Sequence, residues 1–528
     1  MRIVVADPIS RHGIELLRGA GCEVITPAHD ELRGALATAD ALIVRSATRV
    51  TRELLEAGPR LRVVGRAGVG VDNIDVDAAT ARGVLVMNTP GGNSVSVAEH
   101  TLGLMLAIAR HIPQLSAAIH AGRWEKSAGV GVELRGKTLG LIGFGRVGSE
   151  VARRARAFGM IVLAHDPCIT EEAARNSGVD LLPMAQILER SDFLSLHTAL
   201  NPATEKIIRA ETLAQCKRGA ILINTARGEL VDEVALADAL RSGQLAGAGL
   251  DVFTEEPPLR SLLIGLPNVV ATPHIAGSTR EAQEEVGTLI AQQVLGYLTE
   301  GALDNAVNLP AVSGEQYRRA RPWIEMVTRL GSFVAQISGG RFERVSIAFA
   351  GEASELGTSV LRNAALAGLL NNILDEKVNL VNASKIATTR GLIVEELARH
   401  VDQGYPDTIE VAVRAGRESR GATAEATVLH GISPRILRVD GVELEAPLAG
   451  TMLFFRNRDV PGVIGEIGTI LGARGVNIAT FALGRDTQAR GTEAMALVQV
   501  DGAVPEEALK LIGGIGAITE VRLIQLPD

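Results

Sequence analysis

The 528-residue chain has few cysteines: Cys22, Cys168 and Cys216, an odd number without CxxC spacing. That argues against a disulfide framework or a structural zinc site and fits a reducing cytoplasm. Positive charge is also short. With 53 lysines and arginines against 61 aspartates and glutamates, the formal net charge is -8, so no basic stripe draws the chain to nucleic acid or to an anionic membrane surface. Long apolar runs are missing: the longest, such as Leu102 to Ala109, fall far short of the roughly 18 to 20 residues that cross a bilayer. Met1 to Asp7 enters a strand pattern directly, without the basic, apolar and cleavage segments of a secretion signal. A soluble, cytoplasmic protein is the expectation.

What is present is apolar side chain in quantity. Hydrophobic residues make up 46% and charged residues 22%, the balance of globular domains. A chain of this length is expected to divide into about three or four of them. The runs Ile3 to Ala6, Val24-Ile25, Ala41 to Val44, Val63 to Gly65 and Val84 to Met87 alternate with helical patterns, as parallel strands joined by crossover helices do. One long helix is expected at about Ser96 to Ala121. A second alternation begins at Thr138 to Ile142 and continues through Ile161 to Ala164, Phe193 to Leu196, Ala220 to Ile223, Ala248 to Leu250 and Val269 to Ala271. Six strands suffice for a doubly wound sheet. Val286, Leu289, Ile290, Val294, Tyr297 and Leu298 then follow a helical period, on a segment long enough to return to the first domain.

Beyond a linker at Asn308 to Gly314, one stretch mixes a helix (Leu356 to Leu374) with strands (Val345 to Ala350, Ile409 to Val413, Ala424 to Leu429). The last stretch, from Met452 to Ile524, reads strand, helix, strand, strand, helix, strand, the order of a βαββαβ sandwich.

Gly143-Phe144-Gly145-Arg146-Val147-Gly148 follows a strand and opens a helix. Backbone N–H groups and the helix dipole there can meet a pyrophosphate. The next strand ends at Asp166, whose carboxylate suits both hydroxyls of an adenosine ribose and repels a 2′-phosphate, so NAD is the expected cofactor rather than NADP. Arg227, Glu256 and His274 follow three further strands. An isolated arginine or histidine at a strand end is ordinarily solvated or satisfied locally. Three at successive strand ends beside a dinucleotide loop fit the oxidation of a 2-hydroxy acid, which needs a cation for the carboxylate and an acid/base for the hydroxyl proton. Arg45 and Arg66, each after a strand, suit a doubly anionic substrate, with Gly68 to Val71 as N–H donors.

The runs Gly143 to Gly148, Asn224 to Gly228 with Leu230 to Glu233, Gly249 to Pro257 and Thr272 to Thr279 resemble the D-isomer-specific 2-hydroxyacid dehydrogenases. The resemblance implies that Arg227 binds the substrate carboxylate, His274 is the acid/base and Glu256 supports it. It implies a cofactor set of Gly143, Gly145, Arg146, Val147, Gly148, Asp166, Thr198, Thr225, Asp251, His274 and Gly277, with Asp251 at the nicotinamide amide, and no metal. Leu42 to Thr48, Val64 to Asn73 and Met87 to Ser94 are similar to the branch of the family that oxidises 3-phosphoglycerate in serine biosynthesis. That likeness implies Arg45, Arg66 and Asn93 as substrate ligands. Lys126, after Trp124-Glu125, stands where some members place a neighbouring subunit's basic residue on the phosphate.

The long form of that branch implies two Rossmann/flavodoxin-like parallel-sheet domains, an α+β intervening domain and a C-terminal ACT domain. The implied bounds are 1–97 with 288–310 for substrate, 98–287 for NAD, 315–450 and 451–528. Arg458 to Ile464 with Gly475 to Ile478 looks like an ACT domain, which implies L-serine as effector at Asp459 and Asn477. Asn457 stands where a regulated relative has Tyr. A homo-oligomer, dimer or tetramer, is implied as well, with the helix from Ser96 as a dimer surface. Two other readings stay open: a glyoxylate or hydroxypyruvate reductase, which usually stops near Asn308, and a corepressor-like NADH-sensing protein. The long ACT-like tail and the absence of a disordered or basic extension weigh against them.

Overall fold

The computed structural model describes residues 1–310, 314–340, 342–399, 405–414, 421–485 and 493–527; Ala311 to Ser313 of the expected linker lie outside the described residues. The first sheet is all parallel, with Glu23–Ile25, Arg2–Val5, Ala41–Val44, Val63–Arg66 and Leu85–Met87 in that order across it. Its central strands are apolar between their ends because both faces are covered, with Arg2 and Arg66 at strand ends and Glu23 on the edge strand. Ile3, Val5, Ile43 and Val63 point into one core, and Val4, Leu42, Val44 and Val64 into the other, as the two-residue period of a strand requires. Helix Arg280–Glu300 closes the first of these cores with Val286, Ile290, Ala291, Val294 and Leu298. The chain thus returns to its first sheet after leaving it for the second.

The second sheet has seven parallel strands, in the order Val269–Ala271, Leu245–Leu250, Ala220–Asn224, Phe193–Leu196, Thr138–Ile142, Ile161–His165 and Asp180–Leu181. The last, two residues long, is too short to leave a period in the sequence. Strand order reverses between Thr138–Ile142 and Phe193–Leu196, so a crevice opens there at the C-terminal ends. The single helix expected over Ser96 to Ala121 is two helices, Ser94–Ala109 and Ile112–His120, meeting at 65°. Pro113 lacks an N–H and its ring would strike the carbonyl four residues back, and His111 takes a left-handed conformation (φ 53°) at the break. Among the described residues no single helix is long and apolar enough to cross a membrane.

The remaining chain forms a six-stranded sheet and a four-stranded antiparallel sheet. In the six-stranded sheet, Ile393–Ala398, Ser433–Val439 and Val442–Pro447 flank the strands expected from sequence, and helix Gly314–Ser338 joins Thr358–Leu370. The four-stranded sheet has the order Asn477–Arg485, Glu493–Asp501, Thr451–Arg458, Ile518–Gln525, the arrangement expected of βαββαβ. Both of its faces are buried. Leu453, Phe455 and Val498 meet the helices carrying Ile467 and Ile512. Met452, Phe454, Leu497 and Ile524 instead join the core of the six-stranded sheet, where Phe454 meets Phe333 edge-on at 6.4 Å.

That core in turn touches the first sheet's surroundings. Asn379 Nδ2 donates to Gly83 O (2.8 Å), Lys385 Nζ pairs with Asp77 (3.0 Å), and Val381 enters the core of Met87 and Leu298.

Helices Gly314–Ser338 and Thr358–Leu370 cross with backbones almost touching. A Cβ on Gly331 would lie 2.3 Å from Ala365 O, and one on Gly368 would lie 2.0 Å from Thr328 O. Gly368→Leu is expected to destabilise this unit by about 1–3 kcal/mol through overpacking, read as a lower denaturation midpoint in urea.

Candidate active site

The dinucleotide loop uses its three glycines for three different reasons. Gly143, at the end of its strand, is left-handed (φ 94°), and a Cβ there would lie 2.5 Å from His197 O. A Cβ on Gly148 would lie 2.5 Å from Gly143 O, whereas one on Gly145 would meet nothing within 4 Å. The first and third glycines therefore fold the loop against the sheet, and the second leaves room over the start of helix Arg146–Ala157. Unpaired N–H groups at a helix start with open space above them are what a pyrophosphate needs. Asp166 is fixed beside them: its carboxylate accepts from the N–H groups of Phe144 and Cys168, both at 2.8 Å. The residues present thus fit a bound dinucleotide.

At the end of strand Ala220–Asn224, the Asn224 side chain closes a turn by donating to Arg227 O (2.8 Å) and accepting from Ala226 N (3.0 Å). The turn places the Arg227 guanidinium at the crevice, where Nε and Nη2 reach Asp72 Oδ2 at 3.1 and 3.0 Å. His274 Nδ1 lies 2.7 Å from Glu256 Oε2, and the other oxygen of Glu256 accepts from Phe253 N (3.2 Å). A carboxylate on Nδ1 makes that nitrogen the N–H bearer and leaves Nε2 for proton exchange.

His274 itself has a positive φ of 52°, a conformation that its neighbours must enforce. Asp251 enforces it. Its carbonyl accepts from His274 N (2.8 Å), and its carboxylate accepts from Thr272 Oγ1 (2.6 Å), Ile275 N (2.9 Å) and Ala276 N (2.8 Å). The Asp251 side chain is 0% exposed. Burial alone would raise its pKa, but hydrogen bonds from His100, Thr272 and the two backbone N–H groups outweigh that and hold it below the usual carboxylate range. The nicotinamide contact implied for Asp251 thus falls on a group occupied in holding the His274 loop.

The other expected cofactor residues divide. Gly277 borders the crevice with Asn93, whose Nδ2 lies 2.6 Å from where a Cβ on Gly277 would be. Arg146 reaches across to Gly91, Val147 is half-buried behind it, and Thr198 follows His197 at the rim. Thr225 points away, its hydroxyl 2.9 Å from that of Thr101.

Arg45 and Arg66 end neighbouring strands. Burial, followed by the positive charges of Arg227 and Arg45, lowers the pKa of Arg66, and its buried Nε has no partner among the described residues. Three arginines therefore share one end of the crevice. The sequence reading missed the groups that set the Arg45 loop. Asp7 accepts from Arg45 N (2.6 Å) and Thr48 Oγ1 (2.7 Å), and Asn73 Nδ2 donates to the carbonyls of Arg45 and Thr48 at 2.7 and 2.6 Å. Asp7, polar at the end of an apolar strand, was the available signal.

Lys126 is exposed on a short 3-10 turn. In the C-terminal sheet, Asp459 pairs with Arg485 (2.9 Å), Asn477 donates to Asp501 (2.7 Å), and buried Asn457 donates to Arg458 O (2.9 Å).

The model of the D-isomer specific 2-hydroxyacid dehydrogenase NAD binding domain matches residues 102–276. The D-3-phosphoglycerate dehydrogenase intervening domain matches 319–440, and the ACT domain matches 451–516. The chain is 39% identical over 527 residues to D-3-phosphoglycerate dehydrogenase of Bacillus subtilis, covering 100% of both. It is 40% identical over 529 residues to that of Methanocaldococcus jannaschii, again covering 100% of both. The chain belongs to the D-3-phosphoglycerate dehydrogenase family. Among solved structures, a protein from Thermus thermophilus matches at TM-score 0.53 and 38% identity, over 58% of this chain and 100% of that one. A glyoxylate reductase from Paecilomyes thermophila matches at TM-score 0.53 and 32% identity, over 58% of this chain and 98% of that one. Family membership brings an NAD-binding domain, an intervening domain and an ACT domain into one chain.

Beneath the dinucleotide loop of this family member lies His197, its Nε2 2.8 Å from Ser195 Oγ and its buried Nδ1 without a partner among the described residues. Burial pushes its pKa down from 6.5 to about 3. The folded chain therefore keeps this imidazole neutral, while the unfolded chain binds a proton as pH falls below about 6.5. Stability from this group is full above that pH and is lost between about 6.5 and 3. His197→Asn is expected to lessen the fall in unfolding free energy between pH 7 and pH 5, measured by chemical denaturation.

Proposed function

We propose that this protein oxidises 3-phosphoglycerate to 3-phosphohydroxypyruvate with NAD, the entry step of phosphorylated L-serine synthesis, and that serine acts on it through the ACT domain. The reading is supported by a His274–Glu256 pair at a strand end of the dinucleotide-binding sheet and by three arginines, Arg45, Arg66 and Arg227, whose charges act on one another. A carboxylate, a phosphate and a hydroxyl on one small molecule account for all five groups. Bound NAD supplies the acceptor for the hydride that leaves the substrate's C2.

Arg227 holds the carboxylate next to C2 through its planar fork. His274 Nε2 takes the hydroxyl proton as the carbonyl forms, and Glu256 steadies the imidazolium that results. Arg45, Arg66 and Asn93 bind the substrate, the two arginines at its phosphate. Gly143, Gly145, Arg146, Val147, Gly148, Thr198 and Gly277 border the cofactor, the Thr225 backbone lines its cleft, and Asp251 acts through the His274 loop. Asp166 faces the ribose and disfavours a 2′-phosphate. The division of labour follows the chain: 1–97 with 288–310 for substrate, 98–287 for NAD, 315–450 as the intervening unit and 451–528 for the effector, with Asp459 and Asn477 as its ligands, in a homo-oligomer.

Purified protein supplied with NAD and 3-phosphoglycerate, with the keto product trapped, is expected to generate NADH; no NADH under those conditions overturns the reading. His274→Ala should lower kcat by about 10²- to 10⁴-fold, the range for a general acid/base, while NADH binding by fluorescence stays close to that of the unaltered chain. Saturating L-serine is expected to depress the rate. Full activity at saturation removes serine as effector and leaves the catalytic assignment standing.

A further inference from the structure

The guanidinium assigned above to the substrate carboxylate already holds a carboxylate. Arg227 sits on the loop after strand Ala220–Asn224 of the seven-stranded sheet, and Asp72 on the loop after Val63–Arg66 of the five-stranded one. They are 155 residues apart in sequence and face each other across the crevice. Arg227 Nε and Nη2 converge on Asp72 Oδ2 at 3.1 and 3.0 Å, while Nη1 donates to Ala226 O (2.7 Å). The two N–H groups of one edge of the fork are thus given to an acid of the same chain. Backbone closes over the pair, since a Cβ on Gly70 would lie 2.0 Å from Arg227 Nη2 and 2.7 Å from Asp72 Oδ2.

The two partners differ in what they lose by separating. The Arg227 side chain is 28% exposed and that of Asp72 67%. A half-buried cation needs a partner, whereas an exposed carboxylate returns to water at little cost. The surroundings sharpen the asymmetry. Arg66 feels the positive charges of Arg227 and Arg45 and the negative charges of Asp72 and Asp7. Asp7 is committed to the backbone of the Arg45 loop and to Thr48. Of the two acids, Asp72 is the one held only at the mouth of the crevice.

We propose that Asp72 is an internal stand-in for the substrate carboxylate. In the resting chain it occupies the Arg227 fork and neutralises part of the charge of three clustered arginines. The substrate's carboxylate binds by exchange, taking the fork as Asp72 swings into solvent. Asp72 is therefore a positioning residue that competes with substrate, and the measured affinity for substrate is a difference between two carboxylates. The inference rests on the reading of Arg227 as the carboxylate ligand.

The test compares Asp72→Asn and Asp72→Ser with the unaltered full-length protein at saturating NAD, varying 3-phosphoglycerate. A stabilising exchange of this kind acts on the free enzyme alone, so it is expressed in KM. Both variants are expected to lower KM by about two- to fivefold, the range open to an exposed ion pair, with any change in kcat smaller than that. A purely structural Asp72 predicts the opposite sign, a KM that rises as the Arg227 fork loses its support. KM unchanged or raised in both variants, with the unaltered enzyme active, overturns this inference and leaves the proposed function intact. An unaltered enzyme that makes no NADH from 3-phosphoglycerate removes the proposed function and this inference together.

Discussion

The buried carboxylate of Asp251 is the constraint on which the crevice depends. A charge with no exposed surface is tolerated only when it is fully bonded, and each hydrogen bond to such a group is worth about 1.5–3 kcal/mol. Asp251 finds its donors in Thr272, Ile275 and Ala276, which are the residues on either side of His274. The need to satisfy one buried acid therefore dictates the path of the loop that carries the imidazole, including the left-handed conformation of His274 itself. Helix Ser94–Ala109 completes the arrangement from behind, with His100 Nε2 2.9 Å from Thr272 Oγ1, Thr101 bonded to Thr225, and Ser96 bonded to Thr279. Three hydroxyl or imidazole groups on one helix thus fix the loops of two separate strand ends.

The crevice adds a second constraint, that of like charges. Arg45, Arg66 and Arg227 repel one another, and Arg66 is partly withdrawn from water. Such a cluster persists only where its loops are anchored, which is the role of Asp7 and Asn73 in the Arg45 loop. A cluster of this kind is unfavourable when empty of anions and strongly favourable when filled, so it selects a ligand with more than one negative charge. The Glu256 carboxylate serves the His274 imidazole with one oxygen and the Phe253 N–H with the other.

The tail is joined to the catalytic half by apolar packing together with a few polar contacts. The four-stranded sheet shares a core with the six-stranded one through Phe454 and Phe333, and the latter reaches the first sheet through Val381, Asn379 and Lys385.

The succession of strands and helices along the chain, the two doubly wound sheets, the βαββαβ tail and the dinucleotide loop were legible in the sequence. All of these depend on local period or on a residue type at a strand end, and period is a property of neighbouring residues. The break at Arg110 and His111 was written in Pro113 but masked by the apolar run before it; the two-residue strand Asp180–Leu181 left no pattern. What only the tertiary structure decided are pairings between residues far apart in the chain: Asp251 with the His274 loop, Asp7 with Arg45, and Asp72 with Arg227 across 155 residues. An acid in a sequence carries no mark of which cation or N–H group will reach it. That is set by how two sheets are placed against each other, and the placement follows from apolar burial in which the acids take no part.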